Sequence, residues 1–203
     1  MNATQQGTPT ITHVKEFWGL NMLIPIDPAN LTLIDALVHL TYLAFQVHAP
    51  SWLPSEADAK RQLLRAIETD RINRVLLSPQ ATPLGWIGVI PINHGRIWEI
   101  HPLAVAPDQQ GHGYGKMLVR EIERLAAERG VLGLLAGTSD ETGATPLYGI
   151  DLYQNPFAGL NKLSGGENHP VTFWQKIGFT IVGVLPDAEG RGKPAISLAK
   201  RIG

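Results

Sequence analysis

Residues 108 to 130 read DQQGHGYGKMLVREIERLAAERG: glycines at 111, 113 and 115, then at once an amphipathic helix. Met117, Leu118, Ile122, Leu125 and Ala126 give that helix one apolar face, and Gly130 ends the pattern. A helix that starts in a glycine turn offers unpaired N–H groups and the positive end of its dipole, so its first turn suits a phosphate. Glycines there can equally serve only to start a helix after a tight turn. The two commonest phosphate motifs do not fit. Lys116 stands where G-x-G-x-x-G requires its third glycine, and Gly115-Lys116 is followed by Met117 rather than Ser or Thr.

Composition narrows what such a loop can belong to. The chain has 203 residues, 44% hydrophobic and 17% charged, with a formal net charge of -1. That length holds one domain with a full core, over 1–203, with residues 1–19 as a peripheral N-terminus. No basic block points to nucleic acid, so no nucleic-acid partner is expected. There is no cysteine, which excludes disulfides, thiolate metal sites and cysteine nucleophiles and fits a cytoplasmic protein. No metal site is expected. The most apolar run, Leu31 to Phe45, contains Asp35 and His39 and falls short of the roughly 20 residues a membrane span needs, so no membrane partner is expected.

The order of elements follows from periodicity and turn chemistry. Asp27-Pro28 and Asn30 open a first helix to about Gln46, and SEAD at 55–58 is a capping box opening a second. RVLLS from Arg74, LGWIGVIPI from Leu84 and RIWEIHPLAV from Arg96 predict an antiparallel meander, with Asn93-His94-Gly95 as its last turn. The quoted helix and a buried strand, VLGLLAG, come next. Residues 137–168 lack periodicity, and a loop that long is expected to be functional or disordered. A short helix from His169-Pro170 and the strands FTIVGVL and KPAISLAK complete the chain. The class is α/β, in the α+β sense. Pro102 lacks the ladder donor, so its strand is expected to part from a neighbour there.

The stretch LAVAPDQQGHGYGKML, 103–118, resembles the acetyl-CoA site of the GNAT superfamily of N-acetyltransferases. The family signature is Gln/Arg-x-x-Gly-x-Gly/Ala after a strand ending Val-x-Pro. Val105-x-Pro107 and Gln110-x-x-Gly113-x-Gly115 match it, and FWQKIGF at 173–179 resembles the family's closing Tyr-x-x-x-Gly-Phe segment. The resemblance implies a mixed, mostly antiparallel sheet of six to seven strands, with helices on both faces and a splay at the cofactor. It implies that Gln110, Gly111, His112, Gly113, Tyr114, Gly115 and Lys116 hold the pyrophosphate of coenzyme A. It also implies that Leu103, Ala104 and Val105 pair with the pantetheine.

Acetyl transfer to an amine needs a neutral amine, a polarised carbonyl and a leaving thiolate. Glu99 stands fourteen residues before Gly113, where the histone-modifying branch of the family resembled here carries its general base. His101 shares its face if the strand is regular and is the reserve base. Many members have a tyrosine acid where this chain has Trp174, and indole only donates hydrogen bonds. Phe173 and Trp174 are expected to pack against the cofactor arm or the acceptor, or in the core.

The amine is read from charge. Between Gly137 and Gly190 six acids (Asp140, Glu141, Asp151, Glu167, Asp187 and Glu189) face two bases, Lys162 and Lys176. An acidic rim attracts polycations, and Tyr148, Tyr153, Phe157 and Trp174 can stack on sugar rings. Residues 138–157 and 169–200 resemble bacterial aminoglycoside 6'-N-acetyltransferases, which implies that Asp140, Glu141, Asp151, Tyr153 and Asp187 hold a polycationic amine. Two other readings stay open: an acetyltransferase of a protein lysine, an N-terminus or a polyamine, and an acyl-CoA-binding regulator without turnover. Exposed apolar edges leave a homodimer possible.

Overall fold

The hydrophobic alternation resolves into a seven-stranded sheet clothed on both faces by helices. The computed structural model describes residues 21–155, 160, 163 and 169–203. The N-terminal stretch 1–19, Phe157, Lys162 and Glu167 lie outside the described residues.

Strand β1 (Met22–Ile24) precedes α1 (Leu31–Phe45) and α2 (Glu56–Ala66). The meander β2 (Ile72–Leu77), β3 (Pro83–Ile92) and β4 (Ile97–Val105) follows, then α3 (Tyr114–Glu128) and β5 (Gly133–Ser139). Helix α4 (Pro170–Lys176) and strands β6 (Thr180–Leu185) and β7 (Ala195–Arg201) complete the described order. The expected meander is present, and Asn30 and Ser55 cap α1 and α2 through their side chains. Strand β1 was not expected: three residues before Pro25 are too few to show a period, and only pairing with β2 makes them a strand. The strand expected from Val131 runs on to Ser139, so the irregular segment begins at Asp140 rather than Gly137.

The strands lie in the order β1-β2-β3-β4-β5-β7-β6, antiparallel except for β4 with β5. Alternate residues sort the core into two layers. Val75, Leu77 and Trp86 face α1 and α2, while Leu76, Ile87 and Val89 face α3. Buried polar groups are paired where they fix the helices. Trp86 Nε1 donates to Thr41 Oγ1 at 2.7 Å, and that hydroxyl donates to the Leu37 carbonyl at 2.6 Å. Glu121 of α3 sits between the guanidinium groups of Arg74 and Arg124. Burial works to raise its pKa, but hydrogen bonds and charge from those arginines hold it below the ordinary glutamate value.

Strand β4 positions the site because it changes partners. It pairs with β5 only from Ile97 to Ile100, while its pairing with β3 continues to Val105. Between Ile100 and Leu103 the register with β3 slips by one residue, which is a bulge at Pro102. Gly88 makes room for it: a Cβ there would lie 2.8 Å from the His101 carbonyl oxygen and 3.1 Å from Ala66 Cβ. The bulge exchanges the faces of the strand. Trp98 and Ile100 pack on the α3 side before it, and Ala104 packs on the α1 side after it. The parting expected from Pro102 is therefore present.

Candidate active site

Beyond Ile100, the β5-facing edge of β4 has no strand partner, and the chain then turns through a short 3-10 segment, Pro107–Gln109, into α3. Gln110 Nε2 donates to the Val105 carbonyl at 3.2 Å and ties the loop back to the strand. His112 Nδ1 lies 3.0 Å from the Gln110 carbonyl, and its ring stacks with Tyr114 at 6.0 Å.

The three glycines have two different reasons to be there. Gly111 and Gly113 have φ of +79° and +85°, and no atom lies within 4 Å of a Cβ added at either. Gly113 is the N-cap of α3 and supplies no side-chain cap to the first N–H groups of the helix. No acid stands in that first turn. Gly115 differs: an added Cβ would lie 3.2 Å from Phe173 Cζ. There the side chain is excluded by packing of α4 against α3. An uncapped helix start, open space at two glycines and an unpaired strand edge together fit a pyrophosphate carrying an amide-bearing arm.

Of the placements expected for Trp174, the core is the one observed. Trp174 is 5% exposed and packs edge-on against Phe173 at 5.1 Å and Phe179 at 4.9 Å. Its ring belongs to the core rather than to a cofactor cleft, because the residue after Phe173 on a short helix turns inward. Phe173 is half-buried and meets both Gly115 and that core.

On the opposite side of the sheet Glu99 and His101 share a face, as a regular strand before the bulge requires. Glu99 is half-buried and makes no hydrogen bond or ion pair among the described residues. His101 meets Trp52 edge to face at 5.3 Å, and Trp52 meets Phe45 at 4.6 Å. Burial pushes the His101 imidazole below its ordinary pKa, Glu99 opposes this, and Arg71 adds to it, which favours the neutral ring. The α1–α2 loop that brings Trp52 here was missed from the sequence; its signal is a tryptophan between Pro50 and Pro54.

The acidic residues are sorted by the structure into different jobs. Asp140 is fully buried. Its Oδ1 accepts from the amides of Gly143 at 2.9 Å and Ala144 at 3.0 Å, and its Oδ2 from the Thr145 amide at 2.7 Å and hydroxyl at 2.6 Å. Burial works to raise its pKa, but the Thr145 hydroxyl and those amides hold it below the ordinary aspartate value. Asp140 is thereby corrected from an ammonium holder to the residue that fixes loop 140–145. His169 caps α4 by accepting from Val171 N at 3.2 Å at Nδ1, and its Nε2 donates to the Ser139 carbonyl at 3.3 Å. Burial lowers its pKa, in keeping with that neutral tautomer.

Glu141 is 7% exposed; its Oε2 accepts from Ser51 N at 3.0 Å, while its Oε1 is buried without a partner among the described residues. Asp151 accepts from Tyr153 N and Gln154 Nε2, and Tyr153 itself is 71% exposed. Asp187 accepts from Gly192 N at 2.6 Å within the β6–β7 turn. That turn is fastened to the long loop: Gly149 N donates to the Gly192 carbonyl at 2.8 Å, and Asp140 N to that of Pro194 at 3.0 Å. Glu189 reaches the end of β5, accepting from Ser139 Oγ at 2.9 Å.

Residues 36–150 match the model of the acetyltransferase (GNAT) family, and the chain belongs to that family. Its members draw the acetyl group from acetyl-CoA, which is the cofactor here. Among solved structures, an aminoglycoside 6'-N-acetyltransferase complexed with coenzyme A is 31% identical, with a TM-score of 0.79, over 90% of this chain and 97% of that one. The aminoglycoside 6'-N-acetyltransferase from Enterococcus faecium is 30% identical, with a TM-score of 0.77, over the same shares. An aminoglycoside 6'-acetyltransferase type Ii is 27% identical, with a TM-score of 0.65, over 90% and 97%. No curated protein sequence matches the chain. Among the described residues no helix is long and apolar enough to cross a membrane, and no cluster of His, Asp and Glu suits a metal.

Proposed function

We propose that this acetyltransferase acts on the 6'-amine of an aminoglycoside. The observation that carries the proposal is Glu141, whose buried Oε1 lacks a donor. A carboxylate oxygen left so is costly unless something donates to it, and an ammonium group of a polycationic acceptor would. The likeness to 6'-N-acetyltransferases over 90% of the chain supports the same acceptor.

In this reading bound acetyl-CoA would supply the acyl group, and its sulfur would depart as a thiolate that takes its proton from solvent. The α3 N-terminus from Gly113 and the loop from Gln110 to Lys116 bind its pyrophosphate, with the 103–105 edge holding the arm. Glu99 takes the proton from the amine as the nitrogen bonds to the acetyl carbon and the C–S bond breaks. His101, kept neutral, orients that exchange without adding a second positive charge. Asp151 and Asp187 lend negative potential to the rim, and Tyr153 offers an exposed face for a sugar ring. The catalytic acid has no candidate at Trp174, and a thiol of pKa about 8.5 needs little help to leave.

The test is acetyl-CoA-dependent thiol release with aminoglycosides bearing a 6'-amine or a 6'-hydroxyl, beside polyamines and lysine peptides. Turnover confined to the 6'-amines is expected. Turnover only with peptides or polyamines would replace the acceptor, and silence with intact coenzyme A binding would remove it.

A further inference from the structure

Beside the Glu99–His101 row, on the side away from β5, lies a second cleft that shares His101 with the proposed site and whose other lining residues have no part in the proposed reaction. It has a volume of about 200 Å³ and is lined by Gln62, Arg65 and Ala66 of α2, Arg71 at the entry to β2, Ile90 of β3 and His101 of β4. Its polar lining is two guanidinium groups, an amide and an imidazole. Arg71 Nε is buried and donates to no acceptor among the described residues. The Asp70 carboxylate approaches it to 3.5 Å without a hydrogen bond and is itself 75% exposed. Ile90 pairs with Glu99 across the strands, so the cleft is one residue pair away from the proposed base.

We propose that this cleft is an anion site, taking a carboxylate or phosphate group against Arg65 and Arg71. An exposed Arg65 at the rim and a half-buried Arg71 with a buried idle Nε match the forked acceptor geometry of these groups. Gln62 adds a neutral donor and Ala66 with Ile90 an apolar floor. The charges that face the cleft are those of Arg65 and Arg71, with Glu99 and Asp70 at its margins, the Asp70 carboxylate lying 3.5 Å from Arg71 Nε. The topology sets the site apart from the acceptor loops. Strand β4 lies between β3, which floors the cleft, and β5, which leads to Glu141. One strand thus separates an acidic recess from a basic one.

The anion can be part of the acceptor amine or a separate small ion, and one set of measurements distinguishes them. The Arg71 Nε–H resonance, identified by its loss in Arg71→Lys, is followed while inorganic phosphate or acetate is added at constant ionic strength. Saturating coenzyme A keeps phosphate off the glycine loop. A saturable shift is expected, with affinity weakened about tenfold in Arg65→Gln, as the loss of one charge-assisted hydrogen bond implies. Arg120→Gln, in the basic cleft on the outer side of α3, should leave it unchanged. Phosphate that competes with the amine in steady-state kinetics marks an anionic group on the acceptor; inhibition or activation without competition marks a separate ion. Absence of a saturable shift, or a shift indifferent to Arg65 and sensitive to Arg120, overturns the site. The resonance needs no turnover, so its failure is distinct from failure of the aminoglycoside reading.

Discussion

The two sides of β4 are built on different principles. On the side proposed for the cofactor the groups on offer are backbone: a strand edge unpaired among the described residues after Ile100 and the start of α3 at Gly113, which has no side-chain cap. On the side proposed for the acceptor the groups on offer are side chains, drawn from β4, the α1–α2 loop, the segment after β5 and the β6–β7 turn. A backbone site needs only one contiguous stretch in the right conformation, and its sequence mark is local. A side-chain site needs distant segments fastened together, and most of its acids are consumed in the fastening. Asp140 and Asp187 hold loops, whereas Glu141 keeps one oxygen idle.

Substitutions can break this contrast or sharpen it. Glu99→Gln should have the largest effect, a loss of turnover of about 10²-fold, with acetyl-CoA affinity unchanged by calorimetry. Unaltered turnover would remove Glu99 from the chemistry. Asp140→Asn should lower stability by about 1–3 kcal/mol at pH 7, because buried amide donors lose their carboxylate. The sign with pH follows from its depressed pKa. The folded value is lower than the ordinary 3.8, so the stabilisation is complete above that value and fades as pH falls through the folded one. Denaturant midpoints of the two proteins should therefore converge under acid conditions. A parallel offset at every pH would mean that packing, not charge, is what Asp140 supplies.

Glu141→Gln should raise KM for the amine about tenfold with KM for acetyl-CoA unmoved, the value of one charge-assisted hydrogen bond. An equal loss on both substrates would show that its bond to Ser51 matters more than its idle oxygen. The smallest effect is expected at Gly115. Gly115→Ala should weaken coenzyme A binding only about two- to fivefold, by pressing on Phe173, and Phe173→Leu should restore it. Failure of that rescue would return Gly115 to the role of a glycine needed for close approach of the cofactor itself.

The glycine loop was legible because each of its marks is local. Val105-x-Pro107, the positive-φ positions and the apolar face of α3 lie within a single stretch, and the parting at Pro102 follows from a missing donor. Strand β1 was illegible, since its pairing and not its pattern makes it a strand. Trp174 was read two ways because a ring that follows Phe173 on a short helix can face the cleft or the core, and only packing against Phe179 decides it. The acidic count between 137 and 190 gave the sign of the potential but not which carboxylates remain available, because hydrogen bonding by loop amides has no signature in composition.

The amino-acid sequence by itself thus determined the order of the elements after β1, the helix start at the glycine loop and the family they belong to, because local backbone chemistry and hydrophobic period carry all three. Tertiary structure alone decided that Phe173 closes the space at Gly115, that Asp140 is structural while Glu141 keeps a free oxygen, and that Arg65 and Arg71 meet beside His101. Those outcomes depend on which segments the sheet order brings together, and contacts between segments far apart in the chain leave no periodic trace in either one.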